Sequence, residues 1–454
     1  MGEINSLYAI TPIDGRYETI TRPIQEYFSE YALIKNRVIV EIKWLVTLSK
    51  IDEITEIKLT NEEIEKLEEI YIKFNIEEAK KVKEIEKVTK HDVKAVEYYL
   101  QDKVKELNLN RIINFIHFAA TSEDINNLSY SLMVRDAIDN VWLKEAKKLV
   151  EDVKKSAKEN KDIAMLSHTH GQSASPTTVG KEFAIFVYRW ESILKHIENI
   201  KLKGKFSGAV GNFNAHIVAY PNVDWISIAK KFVESFELEY NIYTTQIESH
   251  DTLTILLNMI SSFNMVTMDF NSDMWLYISN HYFKQKAVSG EIGSSVMPHK
   301  INPINHENSM ANIRISNGLI RTFAENLPVS RMQRDLSDSS MLRNIGTSIA
   351  HSLISIKQSQ IGLSKMEVNR EVLEKDLNDN PEILAEAIQT ILRKNGYTNA
   401  YELLKEKTKG KKVSLEELRD WFNDLEIKKE DKEILKSLEI KDYIGLARNI
   451  VEML

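Results

Sequence analysis

Residues that break helices are scarce along this chain: 15 glycines and 8 prolines in 454 residues, about one in twenty where average chains carry about one in eight. Sandwiches, barrels and doubly wound sheets need a turn every few residues and draw on glycine and proline to make it; long helices need almost none. The expectation is a mainly all-α protein. A chain of 454 residues exceeds the usual size of one core, which implies two or three domains or one elongated helical body. The 43% hydrophobic content excludes a disordered or collagen-like chain.

The hydrophobic spacing fills in the helices. Between Asp251 and Asp269 lies an uncharged run, TLTILLNMISSFNMVTM, near the lower length limit of a membrane span. Thr254, Asn258, Ser261 and Ser262 form one small polar stripe on it, the mark of a helix buried among other helices. With Phe270, Met274, Trp275 and Ile278 it predicts one helix from about 251 to 282. Further long helices are predicted at about 123–159, 177–203, 306–326 and 338–363. The result is an elongated long-helix bundle over 112–364, flanked by smaller helical domains over 1–111 and 365–454. Apolar faces this long exceed what one chain covers, so self-association is expected.

Composition narrows the chemistry. Without cysteine there is no disulfide, thiolate zinc site, iron–sulfur ligation or thiol nucleophile. A formal charge of −7 offers no global attraction to nucleic acid or to an anionic membrane, so an anionic ligand must be held by a local basic cluster. The first sixteen residues carry no apolar run of the kind a secretory leader needs. Gly2 and Ser6 fit the loose acylation pattern, but with no basic run beside them.

Four polar islands interrupt the helical pattern. In SHTHGQSASPTT (167–178), His168 and His170 alternate as metal ligands on a strand would, with no third ligand at suitable spacing. His170, beside Gly171, suits proton transfer at neutral pH; the local pattern alone fits a capping or core histidine better. SGEIGSSVMPHKINP (289–303) has the composition of a lid, with Gly290 and Gly293 free to hinge and Pro298 and Pro303 stiffening the far side. Ser294, Ser295, His299, Lys300 and Asn302 lie within it. A serine there would need a cation and amides to act as a base; the alternative is a polar surface loop. PVSRMQRDLSDSSMLRN (328–344) sets Arg331, Arg334 and Arg343 around Ser339 and Ser340 at a helix start, a phosphate site by type. Asp335 and Asp338 there equally suit local ion pairs. The fourth island is dispersed over DGRY (14–17), TKHDVKAVEY (89–98) and HFAATSEDINN (117–127). The glycines of GKFSGAVGN, at 204, 208 and 211, fit a plain turn better than a phosphate loop, since no strand clearly precedes them.

Taken together these islands resemble the fumarase/aspartase superfamily, whose lid signature is matched by SSVMPHKINP. PIDGRY, KHDVKAVEY, FAATSEDINN, THGQ, TTQIE (244–248) and QRDLSDSSMLRN resemble its adenylosuccinate lyase family, the bacterial-type branch in particular, over nearly the whole chain. The resemblance implies a cytoplasmic homotetramer with a central helical bundle, three subunits building each active site. It also implies elimination of fumarate from adenylosuccinate to give AMP, and from the succinylated carboxamide ribotide SAICAR to give AICAR, with no metal or organic cofactor and no nucleic-acid or membrane partner.

Motif by motif, the resemblance makes Ser294 the general base and His170 the general acid. Lys300 and Asn302 would bind the succinyl carboxylates with Thr121 and Ser122 assisting, and His91 would support the phosphate and orient His170. Arg16, Tyr17, Arg334, Ser339 and Arg343 would hold phosphate and nucleotide, and Gln246 and Asn308 the substrate's polar edges. Lys90, Asp92, Ser295 and Ser340 stand beside them in the same motifs as substrate-binding positions. Two residues depart from the family's pattern: Lys90, where Asn or Arg is more usual, and Ser173, in place of a proline. The competing readings are another lyase of the superfamily, such as argininosuccinate lyase or fumarase, and a non-catalytic structural relative. The basic island after Pro328 disfavours substrates without a phosphate, and the presence of Ser294, His170, Lys300 and Asn302 disfavours loss of catalysis.

Overall fold

The computed structural model describes residues 6–287, 290, 296–297, 299–408 and 413–454. It is 67% helical, and the few strands described form three small two-stranded sheets. The chain divides into two compact units, one of Met1–Ala146, Ile193–Met265 and Ala311–Lys357, the other of Lys147–Ser192, Val266–Met310 and Gln358–Leu454.

The long helices fall close to their predicted positions. The predicted 251–282 helix runs Asp251–Ser279. By length and composition it could cross a membrane, but 56% of its most apolar stretch is buried inside the protein. The predicted 177–203 helix spans Val179–Glu198; past its end the Asn199 side chain donates to the carbonyl of Lys195 at 2.6 Å. The predicted 338–363 helix is split into Ser337–Leu342 and Ile345–Ser364, and at the break the Asn344 side chain donates to the carbonyl of Ser340 at 2.9 Å. The predicted 123–159 helix carries a π-helical turn at Ile138–Trp142 between Ser122–Ala137 and Leu143–Glu159. Such a turn inserts a residue and re-phases the faces. Here it leaves Trp142 fully buried, its indole donating to Ser352 at 2.8 Å and packing edge-on to Phe263.

In the first unit, buried Trp44, Phe206, Trp225 and Phe232 form an aromatic core. In the second, a polar layer crosses the bundle. Burial pushes His306 down to about 4, so its imidazole is neutral and Nδ1 donates to Asn271 Oδ1 at 2.7 Å. The Asn271 amide nitrogen lies 3.1 Å from the Ser309 hydroxyl and 2.8 Å from that of Ser359. The second unit also holds an antiparallel hairpin, Ala164–Thr169 with Gln172–Thr178, where the sequence showed only a polar island. The hairpin shares its core with Leu377, Ile383, Leu384 and Ile388.

Candidate active site

His170 and Gly171 form the tip of that hairpin, both in the left-handed region at φ 53° and 73°. The tight turn exposes His170 to solvent. Nothing lies within 4 Å of a Cβ built at Gly171, so glycine serves there for its backbone freedom. Ser173, where the family pattern has proline, donates its hydroxyl to Asn380 Oδ1 at 2.9 Å. Ser175 likewise donates to Glu386, so the departure at 173 supplies a link between hairpin and C-terminal helices. His168 lies beside the ring of Tyr282, 6.2 Å between centroids.

Ser294 and Ser295 lie outside the described residues. Beyond them Lys300 is exposed and Asn302 half-buried; the Lys300 amide donates to the carbonyl of Met297 at 3.0 Å, closing a turn. Asn308 lies half-buried in the first turns of the Ile304–Asn326 helix.

The remaining predicted residues belong to the first unit, and most of them are joined there by hydrogen bonds. Lys90 ends the Ile76–Thr89 helix in the left-handed conformation, φ 56°. His91 caps the next helix, Asp92–Glu106, with Nδ1 accepting from the Lys94 amide at 3.1 Å. That bond uses the Nδ1 lone pair, so in the neutral ring the proton is on Nε2. Oδ2 of Asp92 accepts from Arg37 and from Arg343, each at 2.7 Å. Burial works against the Asp92 carboxylate, but Arg37, ahead of Arg343, outweighs it and holds its pKa below the usual range. Arg343 also reaches Glu30 at 3.0 Å and lines a cavity of about 660 Å³ with Asp14, Arg22, Gln25 and Ser29, a volume in the range of small-ligand sites. Arg16 is exposed beside it in sequence, and Tyr17 packs on Ile13, Ala350 and Ile354.

Thr121 starts the Ser122–Ala137 helix. The Gln246 amide lies 3.5 Å from its hydroxyl and accepts from Arg334 NH1 at 3.5 Å. Arg334 NH2 pairs with Glu123 at 2.9 Å. Burial pushes the Glu123 carboxyl above the usual range, Arg334 acting in the opposite sense. Around Ser339 and Ser340 the ion-pair reading has local support. Asp335 pairs with Arg331 at 3.3 Å and Asp338 lies 3.9 Å from Arg334; Asp335 also accepts from the amides of Arg331 and Ser337, and Asp338 from that of Ser339 at 2.6 Å. The amides of this short helix are thus partly capped from within.

The glycine loop is a turn held by an acid. Oδ1 of Asp124 accepts from the Ser207 amide at 2.9 Å, and Oδ2 from those of Gly208 and Thr121 at 3.0 and 2.9 Å. Lys205, buried with it at 0% exposure, lies 2.9 Å from Oδ1. The backbone groups that a phosphate would use are taken by the Asp124 carboxylate.

Sequence reasoning missed Arg37, Glu123, Asp124, Asn126 and Lys205, all buried. Arg37 stands with Lys35, Glu41 and Lys43 in ALIKNRVIVEIKWLV, so its charge alone did not set it apart from solvent-facing neighbours.

Residues 15–315 match the family model described as Lyase, and 330–444 the one described as Adenylosuccinate lyase C-terminal. Among solved structures, the fumarate lyase from Mesorhizobium sp. BNC1 superposes with a TM-score of 0.77 at 16% identity, covering 95% of this chain and 97% of that one. The 3-carboxy-cis,cis-muconate lactonizing enzyme from Pseudomonas putida gives 0.74 at 18%, covering 95% and 96%. The fold is that of the fumarase/aspartase class, and the chain is a lyase. Curated relatives are more similar in sequence: the adenylosuccinate lyases of Haemophilus influenzae and Escherichia coli K12 are each 46% identical over 454 residues, covering both chains fully. That of Legionella pneumophila Philadelphia 1 is 47% identical over 451, covering 99% of each. The chain belongs to the adenylosuccinate lyase family.

Proposed function

We propose that this protein eliminates fumarate from adenylosuccinate to give AMP and from SAICAR to give AICAR, as a cytoplasmic homotetramer whose active sites each draw on three subunits. Its domains would be 1–111, 112–364 and 365–454. The observation that carries the reading is identity near one half, end to end, with relatives named adenylosuccinate lyase. The local geometry supports it.

Elimination removes a proton alpha to one succinyl carboxylate and beta to the leaving nitrogen, which leaves a dianionic aci-carboxylate before the C–N bond breaks. The site must supply a base, cations for the developing charge and an acid for the departing nitrogen. Ser294 takes the base role and His170 that of the acid, on an exposed tip where its ring can reach a ligand. Lys300 and Asn302 hold the carboxylates, with Thr121 and Ser122 assisting. His91, its Nδ1 committed to the helix cap, presents Nε2 to the phosphate or to His170. Arg343, Arg334, Arg16, Tyr17 and Ser339 hold the nucleotide, Gln246 and Asn308 its polar edges. Lys90, Asp92, Ser295 and Ser340 complete the substrate contacts.

Purified protein is expected to release fumarate from adenylosuccinate, followed by the ultraviolet absorbance change, with no metal added. Failure to turn over either succinylated nucleotide, with turnover of argininosuccinate or malate instead, overturns the substrate assignment.

A further inference from the structure

Two arginines of the candidate nucleotide site, Arg334 and Arg343, are joined through the interior of the first unit by Asp92, a substrate-binding position by motif, and by three residues given no role in the motif reading. Arg343 donates to Asp92 Oδ2 at 2.7 Å, and the same oxygen accepts from Arg37 at 2.7 Å. Arg37, whose side chain is 1% exposed, sends Nε to Asn126 Oδ1 at 2.9 Å. The Asn126 amide donates to Glu123 Oε1 at 2.8 Å, and that oxygen closes the chain on Arg334 NH2 at 2.9 Å. Charges alternate along the path, and its two end arginines are tied to shared carboxylate oxygens. Arg37 lies on the Glu30–Ser49 helix, Asp92 at the start of Asp92–Glu106, Glu123 and Asn126 in the first two turns of Ser122–Ala137. The path therefore spans three helices and ends on the segment after Pro328.

Stability alone does not account for this arrangement. Desolvating a guanidinium costs several kcal/mol, and buried ion pairs replaced by apolar residues of like volume often leave a protein equally or more stable. What the path fixes is geometry, because each link sets the plane of the next group: a guanidinium at Arg37 whose Nε and NH2 bridge Asn126 and Asp92, and a planar amide at Asn126. We propose that Arg37, Asn126 and Glu123 are positioning residues, a relay that sets Arg334 and Arg343 at one separation and orientation to receive an anionic nucleotide. The identity of the ligand rests on the function proposed above; the relay itself rests on the hydrogen bonds.

The test uses full-length Arg37→Met, Asn126→Leu and Glu123→Gln, each of nearly conserved volume, with steady-state kinetics on adenylosuccinate and calorimetric titration with AMP. Displaced arginines predict KM and the AMP dissociation constant raised together, by about tenfold or more for Arg37→Met, with kcat within about threefold. Arg37→Lys should not rescue, since one ammonium cannot reproduce the planar fork. A merely structural role would lower the melting temperature and the active fraction while leaving both constants within about twofold of wild type; that outcome overturns the relay. So does failure of all three variants to fold, which would make the chain of bonds a stability element. Wild type that binds AMP but turns over neither succinylated nucleotide defeats the functional reading alone, and the variants' AMP affinities still decide the relay.

Discussion

Glu41 is fully buried, and its Oε1 lies 2.6 Å from Nδ1 of His117, with Glu97 3.8 Å from the other ring nitrogen. Burial works against the imidazolium, but the Glu41 carboxylate, with Glu97 and Asp124 behind it, outweighs it and raises the His117 pKa above its ordinary value. A raised folded-state pKa contributes stability that is fully present below the unfolded pKa near 6.5 and lost as pH rises through the higher folded value. His117→Gln should therefore destabilise by about 1–3 kcal/mol below about pH 6, with the difference shrinking as pH rises through the folded-state pKa. Denaturant midpoints across a pH series measure it, and a difference independent of pH would refute the charged pair. Motif residues such as Thr121, Arg334 and Arg343 were legible because their types and spacing carry chemistry. Arg37 and Glu41, four residues apart on a largely buried helix, belong to no motif. Their reasons are Asp92, Asn126 and His117, 55 to 89 positions away and joined to them only by folding.

Helices were read from the sequence within a few residues wherever one apolar stripe runs without interruption, as in Asp251–Ser279. The breaks at Asn199 and Asn344 were missed because the apolar spacing runs on past them; each side chain bonds the carbonyl four residues back, as Asn36 and Asn271 do inside unbroken helices. The hairpin at 164–178 was missed because its outer strand is serine- and threonine-rich and is held by the C-terminal helices through Ser173 and Ser175. One junction is tight enough to test. A Cβ built at Gly180 would sit 2.3 Å from the carbonyl oxygen of Ala157 and 2.7 Å from the amide of Lys161, both backbone atoms that cannot swing aside. Gly180→Ala is expected to cost about 1–3 kcal/mol by overpacking, seen as a lower denaturant midpoint at unchanged slope; wild-type stability would show that the two helix ends part freely.

The molecule as a whole leaves large apolar side chains uncovered along its longest helices. Tyr188 is 71% exposed, Ile255 51%, Leu276 49% and Ile315 49%, on helices whose other faces are buried. Uncovered side chains of this kind are a reason to expect other copies of the chain. Sedimentation is expected to give a tetramer. Mixing inactive Ser294→Ala with inactive His170→Ala, followed by dissociation and reassembly, should raise activity from near zero to a measurable fraction of wild type. No recovery after proven subunit exchange would place Ser294 and His170 of each active site in one subunit. The apolar faces were the sequence's reason to expect self-association, which sedimentation tests, whereas the subunit count came only from the family resemblance.

The polar layer of Asn271, His306, Ser309 and Ser359 bears on how such a bundle finds its alignment. Long faces of leucine, isoleucine and methionine match one another almost as well after one helix slides by a turn, about 5.4 Å, so oil alone chooses poorly among offsets. A slide of that size would carry Asn271 away from both hydroxyls and from the imidazole and cost each of the four groups a partner in a dry interior. The layer acts as a vernier mark: it adds little to the depth of the native minimum and removes its nearest rivals.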